Sequence, residues 1–99
     1  MAEIGYLLVG HGTRREAGQA QFRDVFEQFQ QFLAPADASL AFLELAEPDI
    51  PAGVEALAQR GVKEIVVVPV LLFAAGHAEE DIPSAVGEAC SRLGVKLLA

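Results

Sequence analysis

Tyr6-Leu7-Leu8-Val9-Gly10-His11-Gly12-Thr13-Arg14-Arg15 is the stretch from which the rest of this chain can be read. Together with Ile4, residues up to Val9 have the short, apolar, glycine-bounded look of a buried parallel strand. The run stops on a histidine held between two glycines, with two arginines directly behind it. A second run, Val66-Val67-Val68-Pro69-Val70-Leu71-Leu72-Phe73, leads in the same way to Gly76-His77. The two histidines of the chain thus both follow apolar strands, and in an open α/β sheet ligands bind at the C-terminal ends of strands.

Working outward from the first strand, a helix is expected from about Glu16 to Leu33. Phe22, Val25, Phe26, Phe29, Phe32 and Leu33 recur with the 3.6-residue period and predict one apolar face, while Gln19, Gln21, Asp24, Gln28 and Gln31 fall elsewhere. Pro35 ends it. Ser39 to Leu45 reads as strand two, with Glu44 inside it. Asp49 suits an N-cap and Pro51 the first turn of helix two, which turns Val54, Leu57 and Ala58 inward and stops at Gly61.

Strand three is expected from Glu64 to Phe73. Pro69 removes a ladder donor, so it should lie near a sheet edge or where ladder pairing ends. Helix three should begin between Glu79 and Pro83, bury Ile82, Val86, Ala89, Cys90 and Leu93, and stop at Gly94. Val95 to Ala99 starts a fourth strand. This β-α-β-α-β-α-β order predicts one domain, residues 1–99: a three-layer α/β/α sandwich around a four-stranded, mainly parallel sheet with right-handed crossovers. In a 2-1-3-4 strand order, strands one and three are neighbours and both histidines converge on one end of the sheet.

Composition narrows the function classes. The chain has 99 residues, 53% hydrophobic and 21% charged, which is enough for a core and argues against disorder. Fourteen acidic against seven basic residues give a net charge of −7, the wrong sign for a nucleic-acid footprint. An anionic ligand would have to be met by local positive charge. The single cysteine, Cys90, excludes an internal disulfide and a Cys-rich zinc site. No signal-peptide pattern opens the chain, and its longest apolar run, Ile65 to Ala75, is far short of the ~20 residues of a membrane helix. A reducing cytoplasm is the expected location.

His11 and His77 are the leading candidates for metal or acid–base chemistry, since imidazole is the commonest metal ligand and titrates near neutral pH. The alternative for either alone is a loop histidine bonded to backbone. Gly10, Gly12 and Gly76 let a ligand come close to the chain. Glu44 is a costly residue for a buried strand unless it is paired or at the sheet's rim, so it is a candidate third ligand or proton acceptor; Glu47 reads as a solvated loop acid. Arg14 and Arg15 oppose the dipole of helix one and would be well placed to hold carboxylates or phosphates, with a solvated helix start as the alternative. Glu79-Glu80-Asp81 suits a helix start. Dinucleotide and Walker loops and the Gly-x-Ser-x-Gly elbow are absent. The Arg-His-Gly motif of histidine phosphatases lacks its arginine here, because Gly10 precedes His11.

Three segments carry a resemblance that covers essentially the whole chain: Leu8-Val9-Gly10-His11-Gly12-Thr13-Arg14, Phe42-Leu43-Glu44-Leu45-Ala46-Glu47-Pro48, and Pro69 to His77 followed by Asp81-Ile82-Pro83. In order and spacing the chain resembles the small sirohydrochlorin chelatases of the CbiX type. The resemblance implies a chelatase fold and insertion of cobalt or iron into sirohydrochlorin, on the way to cobalamin or sirohaem. It maps functional histidines onto His11 and His77 and a glutamate onto Glu44, with Arg14 and Arg15 free to clamp peripheral carboxylates of the tetrapyrrole. No permanently bound cofactor is implied, because the divalent metal is a substrate. Short members continue with a further helix and long members hold two such units, so a homodimer sharing one cleft is expected. A reading from another class is a non-catalytic metal carrier that uses the same histidines; a third is a half-domain that works only with a partner chain.

Overall fold

The computed structural model describes residues 4–70 and 78–98. Its elements, in chain order, are β1 (Ile4–Gly10), α1 (Glu16–Leu33), β2 (Asp37–Phe42), α2 (Ile50–Gln59), β3 (Glu64–Val70), α3 (Ala78–Leu93) and β4 (Lys96–Leu97). The four strands pair in parallel in the order β2-β1-β3-β4. This is the expected architecture, with β1 central between β2 and β3. Leu71 to Phe73, expected to finish strand three, lie outside the described residues.

The alternation of strand side chains splits the core in two. Leu7 and Val9 of β1 point to the face covered by α2 and α3, where they meet Val54, Leu57, Ile82, Val86 and Cys90. Leu8 points to the other face, against Phe22 of α1 and Phe42 of β2. Helix α2 forms where its signals stand: the Asp49 carboxylate accepts the Ala52 N–H at 2.9 Å, Pro51 occupies the first turn, and Gly61 follows with φ +88°. Complete burial of Val54 and Leu57 stabilises the fold by ~1.5–3 kcal/mol each.

Helix α1 has the expected bounds but a narrower buried face. Phe22 is buried and Phe26 and Phe29 pack partly against it, whereas Val25 is 42% and Phe32 87% exposed. The reason is the layering: α1 packs chiefly on β2, and no second helix among the described residues stands beside it on that face. The apolar row therefore has a partner for its middle and none for its flank. Leu93, expected inside, is also exposed, at the end of α3.

Pro69 stands opposite Val9 on β3, and the ladder explains why it is tolerated. The Ile65 carbonyl bonds Leu98, so odd-numbered residues of β3 aim their backbone groups away from β1. Among the described residues β4 pairs with Glu64 and Ile65 alone, which makes it shorter than the expected Val95–Ala99 and leaves no described strand on the outer side of β3 at Pro69. The missing donor falls on that side. Among the described residues, no helix is long and apolar enough to cross a membrane.

Candidate functional site

The β1–α1 loop begins where the central strand ends, and its neighbour is the loop after β2. Past the paired strands, Leu43 N–H donates to the Gly10 carbonyl at 2.8 Å and Glu44 N–H to the His11 carbonyl at 3.1 Å. The β1–β2 ladder is thus extended by two rungs of irregular chain. Glu44 consequently lies beyond β2, not inside it as the alternation Leu43-Glu44-Leu45 suggested. Leu45 takes φ +67°, so a regular strand cannot continue through it. At this rim the Glu44 carboxylate stays half exposed and meets no burial penalty, which is the second of the two conditions its sequence position allowed.

These rungs bring His11 Nε2 to 3.7 Å from Glu44 Oε1. At that distance an imidazole nitrogen and a carboxylate oxygen can face one cation between them, or form an ion pair when the imidazole is protonated. Among the described residues no cluster of three His, Cys, Asp or Glu surrounds a single point. Gly76 and His77, expected to complete the site, lie outside the described residues.

Beside the pair opens a cavity of about 540 Å³. Gly10, His11, Gly12 and Thr13 line it from the loop, Arg15 from the residue that precedes α1, and Gly18, Gln21 and Phe22 from the first turns of α1; Phe42 and Val70, the last residues of β2 and β3, line it too. Of the two arginines, Arg15 lines the cavity and Arg14 does not. Two of the glycines serve packing inside the protein. A Cβ on Gly10 would lie 2.9 Å from the Phe22 ring, and one on Gly12, whose φ is +108°, would run into the Glu44 carbonyl. The Phe22 and Phe42 rings meet at 5.0 Å between centroids, and Arg23 lies over Phe42 while donating to the Glu47 carbonyl at 2.9 Å. This clamp ties α1 to the loop that carries Glu44.

Thr13, Gly18, Gln21, Phe22, Phe42 and Val70 were not singled out by sequence reasoning as cavity residues. The phenylalanines are indistinguishable from core by spacing. Gly18 did carry a signal, since glycine inside a helix costs ~1 kcal/mol relative to alanine and calls for a reason.

The CbiX family model matches residues 5–98. Over 86 residues the chain is 38% identical to the sirohydrochlorin ferrochelatase of Bacillus subtilis (strain 168), covering 87% of this chain and 33% of that one. It is 35% identical over 85 residues to the sirohydrochlorin cobaltochelatase of Methanothermobacter thermautotrophicus, covering 86% and 59%. The solved structure of SirB from Bacillus subtilis with Fe3+ superposes with a TM-score of 0.85 at 36% identity, over 98% of this chain and 38% of that one. The chain therefore spans about a third to three fifths of the length of these curated relatives. A family match from the first strand to the last, with the His11 and Glu44 loops inside it, means that the chain belongs to the CbiX family.

Proposed function

We propose that this chain is the catalytic unit of a sirohydrochlorin chelatase, which inserts divalent cobalt or iron into the macrocycle in cobalamin or sirohaem biosynthesis. The observation that carries the reading is the His11–Glu44 pair, whose His11 lines the 540 Å³ cavity, at the strand ends of a chelatase-family sheet. Neutral imidazole suits both metals as a borderline nitrogen ligand. His11 and His77 hold the metal as it sheds water, and Glu44, or one of the histidines, accepts the two pyrrole protons. Arg15 on the cavity wall, with Arg14 beside it in the chain, meets the carboxylates of the tetrapyrrole and offsets the net charge of −7. The metal is a substrate, and no resident cofactor takes part. The reaction belongs to the cytoplasm, without nucleic acid or membrane.

In this reading a second copy completes the cleft, and one tetrapyrrole sits between two subunits. A spectrophotometric chelation assay with sirohydrochlorin and cobalt or ferrous ion tests the activity. Metal-dependent change of the macrocycle's visible spectrum, faster than without protein, is expected; binding of metal with no effect on the macrocycle would leave a carrier. Sedimentation combined with substrate titration tests the dimer and its stoichiometry.

A further inference from the structure

Thr13, the last residue of the histidine loop before the arginines, is seated on α1 in two independent ways. Its carbonyl accepts a hydrogen bond from Gln19 Nε2 at 2.9 Å, across the first turns of the helix. Its methyl group occupies the space over Gly18, where a Cβ would stand 2.7 Å from Thr13 Cγ2. The Thr13 hydroxyl meanwhile accepts the Arg15 N–H at 3.2 Å, which resists rotation of the side chain out of that space. On its other edge the same loop is held by the Leu43 and Glu44 N–H groups. Gln19 belongs by sequence to the polar outer row of α1, yet it is half-buried and turned to the loop. Glycine in a helix interior is disfavoured, and at position 18 its cost is matched to one neighbour, Thr13.

We infer that Gly18 and Gln19 are positioning residues for metal binding: a socket and a latch that seat Thr13 and so fix the orientation of His11 and Arg15 toward the cavity. A site held on both edges keeps its donors in place before the ion arrives and loses less freedom on binding it. Neither residue touches metal or macrocycle in this account; both act through the loop. The inference rests on the reading of His11 as a metal-holding residue.

The test compares Gln19→Met, which keeps length and removes the donor, with Gly18→Ala, which fills the socket. Cobalt(II) is titrated into each by visible absorption, without macrocycle, and Tm is measured alongside. Both variants should bind cobalt about tenfold more weakly, the lower end of the range seen when groups that orient ligands are removed. In Gly18→Ala the helix preference of alanine is set against the 2.7 Å contact with Thr13 Cγ2, so Tm serves only to show that each variant is folded. The double variant Gly18→Ala/Thr13→Ser, which removes that methyl and keeps the hydroxyl, should recover wild-type cobalt affinity, a rescue that a general loss of stability would not give. His11→Ala serves as the reference. If His11→Ala loses cobalt while both variants bind like the wild type, the positioning role is overturned and the metal site stands. If His11→Ala itself keeps wild-type affinity, the metal-site reading falls and the positioning role falls with it.

Discussion

His11 Nε2 stands 3.7 Å from Glu44 Oε1 because two strand ends, adjacent only in the folded sheet, are joined by backbone rungs outside both strands. The pair is a product of topology: a 2-1-3-4 sheet makes β1 and β2 neighbours, and their parallel register brings Gly10 level with Phe42. From there Gly10 and His11 offer carbonyls to Leu43 and Glu44. The side chains that meet at the rim are those of the first residue beyond β1 and the second beyond β2.

Replacing His11 with alanine should therefore abolish metal insertion and leave the fold intact, since the imidazole is partly exposed and outside both core clusters. A loss of ~10²-fold or more is expected for a group that handles metal and proton. His77→Ala carries the same expectation from its strand-end position in the sequence. Circular dichroism and the chelation assay together check this; an unfolded variant, or wild-type insertion rates, would remove that histidine from the site.

Acidification should slow insertion. Insertion exchanges the two pyrrole protons for the metal, so a higher proton concentration opposes the step that the site must catalyse. Initial rates measured across mildly acidic to alkaline buffers should rise with pH, and a flat profile would exclude proton removal from the rate-limiting step.

Much of this was legible in the sequence, for identifiable reasons. Short apolar runs bounded by glycine, and the Asp49-Ile50-Pro51 helix start, are local signals, and the strands and α2 followed them. Glu44 was misplaced because alternation with Leu43 and Leu45 looks like a strand, while the positive φ at Leu45 leaves no trace in a leucine. Phe32 and Val25 were placed inside because periodicity reports which side chains share a helix face, not whether another layer covers that face. Gln19 was placed off the apolar face for the same reason: its partner, the Thr13 carbonyl, is set by how the loop folds back.

Cys90 should be silent toward thiol reagents in the native protein. It is fully buried between α3 and the sheet, and burial pushes its thiol up from the ordinary value of 9.0. The folded state then holds the proton at pH values where the unfolded chain has begun to release it. This contribution to stability is present in full below the unfolded value and is lost as pH rises through the folded one. Thiol titration with a disulfide reagent near pH 8 should give no reaction until denaturant is added, and rapid reaction of the native protein would contradict the burial.

Two glycines with positive φ provide the sharpest separation of backbone geometry from site geometry. Gly61, φ +88°, follows α2 and has nothing within 4 Å of the position a Cβ would take. Gly61→Ala should cost ~1–2 kcal/mol, the penalty of placing an L side chain in the left-handed region, and should leave chelation at the wild-type rate. Gly12, φ +108°, carries the same backbone penalty, but its Cβ would also collide with the Glu44 carbonyl. That collision can be relieved only by separating the two loops, which breaks the Glu44 N–H bond to His11 and moves the two side chains apart. Gly12→Ala should therefore lose more stability than Gly61→Ala and, unlike it, lose most of its insertion activity. Denaturant melts of the two variants beside cobalt titrations make the comparison. Equal stabilities with full activity in Gly12→Ala would mean that the His11 and Glu44 loops are not held by this contact.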